Sequence, residues 1–388
     1  MFKQRSEKLL LLEELRKCAK SLDQQKLCKW LRELGIGFTP LVRLPKQINP
    51  FDSRVGIYAK LEYTNYAESV KARTFSVMYY IKMVSQGITS KKKAVAATSG
   101  NFGLAGSYLL RENLDFTVYM SELAVKENIG LTTKLQQNET KIETFSDRYC
   151  PAVSAKRGMA IAAARSIEKI DSDVINFDQY DDADNPLAHF LTTGPEIIDQ
   201  TESKVTHFVT SLGTCGTMVG TGYSLKDALP KINLIGLIPQ EGHHQLGLRS
   251  KDELGAARFF EEAESLCNRI IEISDKDAYN NLLALWNVGV PAGVSSGTNV
   301  CGALKTAQEL YDENKRGLVV TIVPDSCENY ADFLRKHMRD INGVEFESLK
   351  EKYEQLKIKA QKEREEHVSL LKSGRMLSLW SEKAGRRY

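Results

Sequence analysis

Lys71 stands in the string Glu68-Ser69-Val70-Lys71-Ala72-Arg73. A lysine amine can form an imine with an aldehyde if it is neutral at some point in the cycle. Burial favours the neutral form, because the ammonium loses its hydration. The residue opens a segment of helical spacing, Val70 to Met83, and the positive end of a helix disfavours a cation further. Alone the string carries little weight, since a chain with 53 lysines and arginines holds many solvated Ser-x-Lys strings.

Two further strings have the composition of anion sites. Ala94-Val95-Ala96-Ala97 reads as a short strand that enters Thr98-Ser99-Gly100-Asn101 and then a helix from Phe102 to Arg111. Backbone N–H groups and hydroxyls at a helix N-terminus suit an anion, here a carboxylate, and Gly100 lets the backbone approach closely. The bland alternative is an ordinary capped strand–helix turn. Downstream, Thr206 to Thr210 leads into Ser211-Leu212-Gly213-Thr214-Cys215-Gly216-Thr217 and a helix from Met218 to Leu229. The glycines and threonines there can wrap a phosphate with amide and hydroxyl donors. The string lacks the lysine of a P-loop and the full spacing of a dinucleotide fingerprint, which disfavours both.

Val294-Ser295-Ser296-Gly297 precedes another helix, where a serine hydroxyl can meet a pyridine nitrogen. An amine for an aldehyde, a carboxylate loop and a phosphate cradle are the parts needed to hold pyridoxal phosphate and an amino acid. A neutral hydroxyl on the ring nitrogen does not keep it protonated, so the ring is a weaker electron sink. That suits α,β-elimination better than transamination.

The elements that must position these residues alternate. Val55 to Ala59, Phe116 to Met120, Leu234 to Ile238 and Leu318 to Val323 are β-branched or apolar runs of strand type, separated by helical patterns. This predicts an α/β fold with largely parallel strands, and two separate nucleating loops predict two sheets. The length of 388 residues suits two domains with appendages. A net charge of +3 gives no reason to expect nucleic acid or an anionic membrane as partner. No stretch approaches the roughly 20 apolar residues of a membrane span. The seven cysteines, Cys150 among them, form no C-x-x-C pair, so neither a metal site nor a disulfide framework is expected. Reduced thiols and the absence of a secretory apolar run near Leu9–Leu12 predict a cytoplasmic protein.

Residues 1–35 read as helix, ended by Gly35-Ile36-Gly37. Phe346, Leu349, Tyr353, Leu356 and Ala360 recur at spacings of 3, 4, 3 and 4 in a charged run, which predicts a helix with one apolar seam laid on the body or on a partner subunit. The segment from Gly374 to Tyr388 is basic and reads as a partly mobile end.

These strings together resemble the cysteine synthase family of fold-type II pyridoxal-phosphate enzymes over about residues 38 to 330. The likeness extends to Thr39-Pro40-Leu41, Leu61-Glu62-Tyr63-Thr64-Asn65, Gln179-Tyr180 ahead of Asn185-Pro186, His189, Thr192-Thr193-Gly194-Pro195-Glu196-Ile197 and Pro324-Asp325-Ser326. The resemblance implies two αβ domains with the cofactor in the cleft between them: an N-terminal helical extension at 1–36, a smaller substrate-closing domain at 53–175, a larger phosphate-binding domain at 37–52 and 176–335, and a helical tail at 336–388. It implies that Lys71 carries the cofactor aldimine and takes the substrate α-proton, and that Asn101 meets the cofactor O3′. Thr98, Ser99, Gly100, Asn101, Phe102, Gln179 and Tyr180 would bind the amino acid. Gly213, Thr214, Cys215, Gly216 and Thr217 would hold the phosphate, and Ser295 the ring nitrogen. The product of elimination would be an α-aminoacrylate, attacked at Cβ by a nucleophile. A homodimer is implied as well. The chain departs from the family at Ala72, where aspartate is usual, at Tyr66 for proline, at Cys215 for glycine or serine, and at Cys327 for glycine.

Where O-acetylserine enzymes usually have Gly-Ile-Gly, this chain has Gly247-Leu248-Arg249. An arginine here resembles that of the O-phosphoserine sulfhydrylase branch; a guanidinium forks onto phosphate, and an acetyl group offers no such charge. The alternative is a surface arginine paired with Glu241 or Asp252. The expected reaction is β-replacement on O-phosphoserine, with sulfide or a protein thiocarboxylate as sulfur donor giving cysteine or its adduct. Open alternatives are an amine nucleophile giving a diaminopropionate-type product, cystathionine β-synthase-like chemistry, and a non-catalytic paralogue.

Overall fold

The structure, a computed structural model, describes residues 2–85, 92–146, 158–256 and 258–374. Among the described residues, ten strands form two sheets. In chain order they are β1 (Leu41–Arg43), β2 (Val55–Leu61), β3 (Lys93–Ala97), β4 (Asp115–Ser121), β5 (Lys141–Phe145), β6 (Val174–Asn176), β7 (His207–Ser211), β8 (Asn233–Pro239), β9 (Arg269–Ile273) and β10 (Gly317–Val323). The larger sheet has the order β1-β2-β10-β7-β8-β9 and the smaller β5-β4-β3-β6. Every pairing is parallel except β1 with β2. Helices cover the faces, so the central strands are buried on both sides, which is why they read as continuous apolar runs.

One boundary differs from expectation. The segment 53–175 was expected to form the smaller unit, but β2 lies inside the larger sheet, with Val55 to Leu61 in register against Gly317 to Val323. The physical reason is burial: Val55, Ile57 and Ala59 are sealed between β1 and β10, a place the four-stranded sheet does not offer. The chain therefore leaves the larger sheet at Leu61, and the turn before Lys71 is strung from it. Val70 N–H donates to Pro324 O, one residue past β10, at 2.8 Å.

The terminal extensions are helical, as the spacing predicts. The first breaks in two, Phe2–Ser21 and Gln24–Leu34, because the Asp23 side chain caps the second helix by accepting from Lys26 N–H. Gly35, at φ 78°, ends it. The tail forms a helix from Lys350 to Lys372, whose buried seam Tyr353, Leu356, Ala360 and Leu371 lies on the body. The two extensions meet: His367 Nε2 donates to Gly37 O at 2.9 Å, and a Cβ on Gly35 would fall 2.7 Å from Val368. Cys150 and the basic segment 375–388 lie outside the described residues. Among the described residues no helix is long and apolar enough to cross a membrane.

Candidate active site

Lys71 is the first residue of the helix Lys71–Tyr79. Its Nζ lies 3.4 Å from Thr214 Oγ1, which joins the lysine to the proposed phosphate loop across 143 residues of chain. Burial pulls its ammonium down to about 8, and the Arg249 guanidinium pushes in the same direction. The free amine that imine chemistry needs is thus reached far more readily than from an ordinary lysine.

β3 runs into Thr98-Ser99-Gly100, and Asn101 opens the helix Asn101–Leu110. Gly100 has φ 151°, and a Cβ there would lie 2.9 Å from Leu131 Cδ1, so the turn requires glycine. Thr98 Oγ1 accepts from Gly100 N–H at 2.9 Å and Gly103 N–H at 3.2 Å and so shapes the loop itself. Gln179 is held against β3 by Nε2 donating to Ala97 O at 2.9 Å. Phe102 packs its ring 5.0 Å from that of Phe75.

β7 leads through Gly213 and Thr214 to the helix Gly216–Ala228. Asn185 Nδ2 donates to Thr214 Oγ1 at 3.0 Å and to Gln179 O at 2.7 Å, so one amide ties the two loops. A Cβ on Gly216 would fall 2.1 Å from Asn185 Oδ1, and one on Gly213 would fall 2.9 Å from Gly247 O. Thr217 Oγ1 lies 3.2 Å from His189 Nε2, while His189 Nδ1 faces Thr193 Oγ1 at 2.8 Å. Burial, with Lys71 and Arg73 nearby, keeps that imidazole neutral. Cys215 takes φ 66°, a left-handed backbone unusual for a residue with a side chain. Burial pushes its thiol up to about 12, so it is an inert small residue there.

These loops line a partly open cavity. Its lining includes Lys71, Thr98, Ser99, Gly100, Asn101, Phe102, Gln179, Tyr180, Gly213, Thr214 and Arg249. Cys215, Gly216, Thr217 and Ser295 are not among the lining residues: the first three sit in the turn into the helix Gly216–Ala228, and Ser295 is buried in the first turn of the helix Val294–Asp312. Asn128, Leu131, Leu246, Gly247 and Tyr330 also line the cavity. Leu246 and Gly247 adjoin Arg249 in its own string, whereas Asn128, Leu131 and Tyr330 stand in no motif and arrive through tertiary packing.

Arg249 is 5% exposed. Its guanidinium carbon lies 4.7 Å from the centre of the Tyr180 ring, and Nη1 donates to Glu253 O at 3.4 Å. Nη2 is buried with no partner. The alternative of a surface arginine paired with Glu241 or Asp252 is not what the fold builds: among the described residues Arg249 has no ion pair. A buried cation with an unused donor on a cavity wall is a site for an anionic ligand.

Behind the lysine lies a buried charge network. Arg73 binds Glu62 through Nε at 2.7 Å and Glu196 through Nη1 at 2.6 Å, and Lys60 Nζ binds Glu196 at 2.7 Å. It joins the helix of Lys71 to β2 and to the helix Thr193–Gln200.

A family model described as pyridoxal-phosphate dependent enzyme matches residues 32–325. The chain is 31% identical over 301 residues to a cysteine synthase of Aquifex aeolicus, covering 76% of this chain and 88% of that one. It is also 31% identical over 300 residues to cysteine synthase B of Escherichia coli, covering 77% and 93%. An O-acetylserine dependent cystathionine beta-synthase from Helicobacter pylori is similar in structure, with a TM-score of 0.67 at 27% identity over 77% of this chain and 96% of that chain. The residues present fit the cofactor that the family model names. The glycines at 213 and 216 let the turn pack closely on Gly247 and Asn185, and the loop ends at a helix N-terminus with the Thr214 and Thr217 hydroxyls beside it, a donor set that suits a phosphate.

Proposed function

We propose a function from a plain premise: the chain belongs to the family of pyridoxal-phosphate dependent enzymes. It is a cysteine synthase-like enzyme of fold type II that performs β-replacement on a small amino acid. The finer reading is that the amino acid is O-phosphoserine and that a sulfur nucleophile yields L-cysteine. The observation that supports this donor is the partnerless Nη2 of Arg249 on the cavity wall.

Bound pyridoxal phosphate supplies an electron sink that loosens the α-proton and the β-substituent of the amino acid. The turn Gly213–Thr217 would hold its phosphate, Asn101 would meet its ring hydroxyl, and Ser295 would hydrogen-bond the ring nitrogen without a charge. Thr98, Ser99 and the N–H groups at the start of the helix Asn101–Leu110 bind the substrate carboxylate, with Gln179 beside them. Lys71 Nζ removes the proton from Cα and returns it there at the end. Arg249 forks onto the phosphate that leaves Cβ with its bonding electrons, over the face of Tyr180. The nucleophile then forms its bond to Cβ.

The carboxylate loop hangs from the four-stranded sheet, while Lys71, the phosphate turn and Arg249 belong to the six-stranded side. Closure of the smaller unit over the substrate excludes water from the reacting centre. A homodimer is part of this reading, as is the option of a sulfur-carrier protein as donor.

The test is a donor series. With sulfide, the holoenzyme should form cysteine from O-phosphoserine, with one inorganic phosphate released per cysteine. It should turn over O-acetylserine and serine far more slowly. Faster turnover of O-acetylserine would overturn the choice of donor and leave the β-replacement chemistry standing.

A further inference from the structure

The segment Pro324–Cys327 follows β10 and touches three of the loops described above. Val70 N–H donates to Pro324 O at 2.8 Å, which fixes the turn before Lys71. Gly293 N–H donates to Asp325 O at 3.0 Å, and Cys327 N–H to Pro291 O at 3.0 Å, which fixes the turn before Ser295. The side chain of Asp325 reaches the third. Its Oδ2 accepts from Asn101 Nδ2 at 2.6 Å and from the Tyr330 hydroxyl, and both donors line the cavity.

The carboxylate is 6% exposed, and its second oxygen, Oδ1, is buried without a partner. Room for it exists only because residue 293 is glycine: a Cβ there would fall 2.0 Å from Oδ1. Gly293 also caps the N-terminus of the helix Val294–Asp312, whose field favours a negative charge. Burial raises this carboxyl to about 6, while the hydrogen bonds from Tyr330 and Asn101 favour its ionised form.

An ionised carboxylate only accepts hydrogen bonds. An asparagine amide has a donor side and an acceptor side of nearly the same shape, and its neighbours decide which faces where. We propose that Asp325 is a positioning residue that locks the amide of Asn101 with Nδ2 toward itself, so that the second N–H of that amide is presented to the acceptor oxygen on the cofactor ring. The inference rests on Asn101 facing that ring. Asp325 itself touches neither cofactor nor substrate. It acts from the place where the backbone of the Lys71 and Ser295 turns is also held, so the lysine, the ring hydroxyl partner and the ring nitrogen partner share one anchor.

The experiment is a double-mutant cycle read by cofactor binding to the apoenzyme. Asp325→Asn and Asn101→Ala should each weaken pyridoxal phosphate affinity about tenfold, the scale of one good hydrogen bond, and shift the visible band of the bound cofactor. The double variant should be no worse than about threefold below the weaker single one, because both remove the same contact. Losses that multiply to about a hundredfold, or an Asp325→Asn holoenzyme with an unchanged band, would overturn the proposal. If Asn101→Ala alone leaves affinity and band untouched, the placement of Asn101 at the ring fails first. If only Asp325→Asn is silent, the positioning role fails alone.

A second variant covers the case in which Asp325→Asn does not fold. Exchanging the pair, Asn101→Asp with Asp325→Asn, keeps a hydrogen bond between the two positions and should restore thermal stability. It leaves no side-chain N–H at 101, so cofactor affinity should stay as low as in Asn101→Ala. An exchanged pair that regains full affinity would mean that the contact serves the fold alone.

Discussion

Arg73 binds Glu196 through two hydrogen bonds of 2.6 and 2.7 Å, with both side chains sealed from solvent. The same carboxylate takes Lys60, and Phe38 N–H donates to it at 2.8 Å. Its anion is thus fully used, and the Arg73 and Lys60 cations hold its carboxyl down to about 2 despite burial. Removing one partner strands a buried charge. Glu196→Ala should therefore lose about 3–5 kcal/mol of stability in chemical denaturation, far more than loss of a surface ion pair. The sign with pH follows from the depressed value. The contribution is complete above the ordinary carboxylate range near 4.3 and is lost as pH falls toward 2. A Glu196→Ala variant as stable as the parent at pH 7 would show that the network does not hold the fold.

Lys71 should titrate well below an ordinary lysine. Because burial lowers it to about 8, the rate at which apoenzyme captures pyridoxal phosphate should rise with pH through about 8, as the neutral amine appears, and level off above. Stopped-flow absorbance would give the midpoint, and a midpoint near 10.5 would contradict it. Borohydride reduction of the holoenzyme followed by peptide mapping should place the label on Lys71. Lys71→Ala should retain the fold and lose turnover.

What the sequence discloses and what it hides divide along physical lines. β7, β8 and β10 are legible because strands buried on both faces must be apolar throughout. β5 and β9 are edge strands, with exposed lysine, glutamate and arginine breaking their runs, and β6 is three residues long. Lys71, Asn101 and Gly213 to Thr217 stand out because each sits in a local string whose chemistry is carried by its own neighbours. Asn185 ties Gln179 to Thr214, and Asp325 takes Asn101 across 224 residues of chain, so their work is visible only after folding. Even the misplaced boundary has this origin. β2 looks like the first strand of a new unit, and only its register with β10 reveals where it belongs.

Cys215 tests the phosphate turn by shape rather than charge. With φ 66° the position favours glycine, so Cys215→Gly relieves about 1 kcal/mol of backbone strain while giving up a buried thiol. The two effects oppose, and its melting temperature and cofactor affinity should stay close to the parent. Cys215→Val adds a β-branched side chain to a left-handed backbone in a closed turn, and its affinity for pyridoxal phosphate should fall at least about tenfold. Fluorescence titration of the apoenzymes decides. Equal affinities for the glycine and valine variants would show that the turn does not shape the phosphate site.

Arg249 separates the donors. A guanidinium with one nitrogen already on Glu253 O and another free can fork onto a phosphate ester, whereas an acetyl ester offers it no charge. Arg249→Ala should lower kcat/KM for O-phosphoserine by about a hundredfold or more, the scale of a charge-assisted pair, and change that for O-acetylserine little. Arg249→Lys should recover only part of the loss, because an ammonium gives a point contact in place of a planar fork. Truncating the arginine also takes a cation away from Lys71, so the capture midpoint of the apoenzyme should move up. That shift is independent of the donor, and equal losses on both donors would mean that Arg249 acts through Lys71 and not through the leaving phosphate.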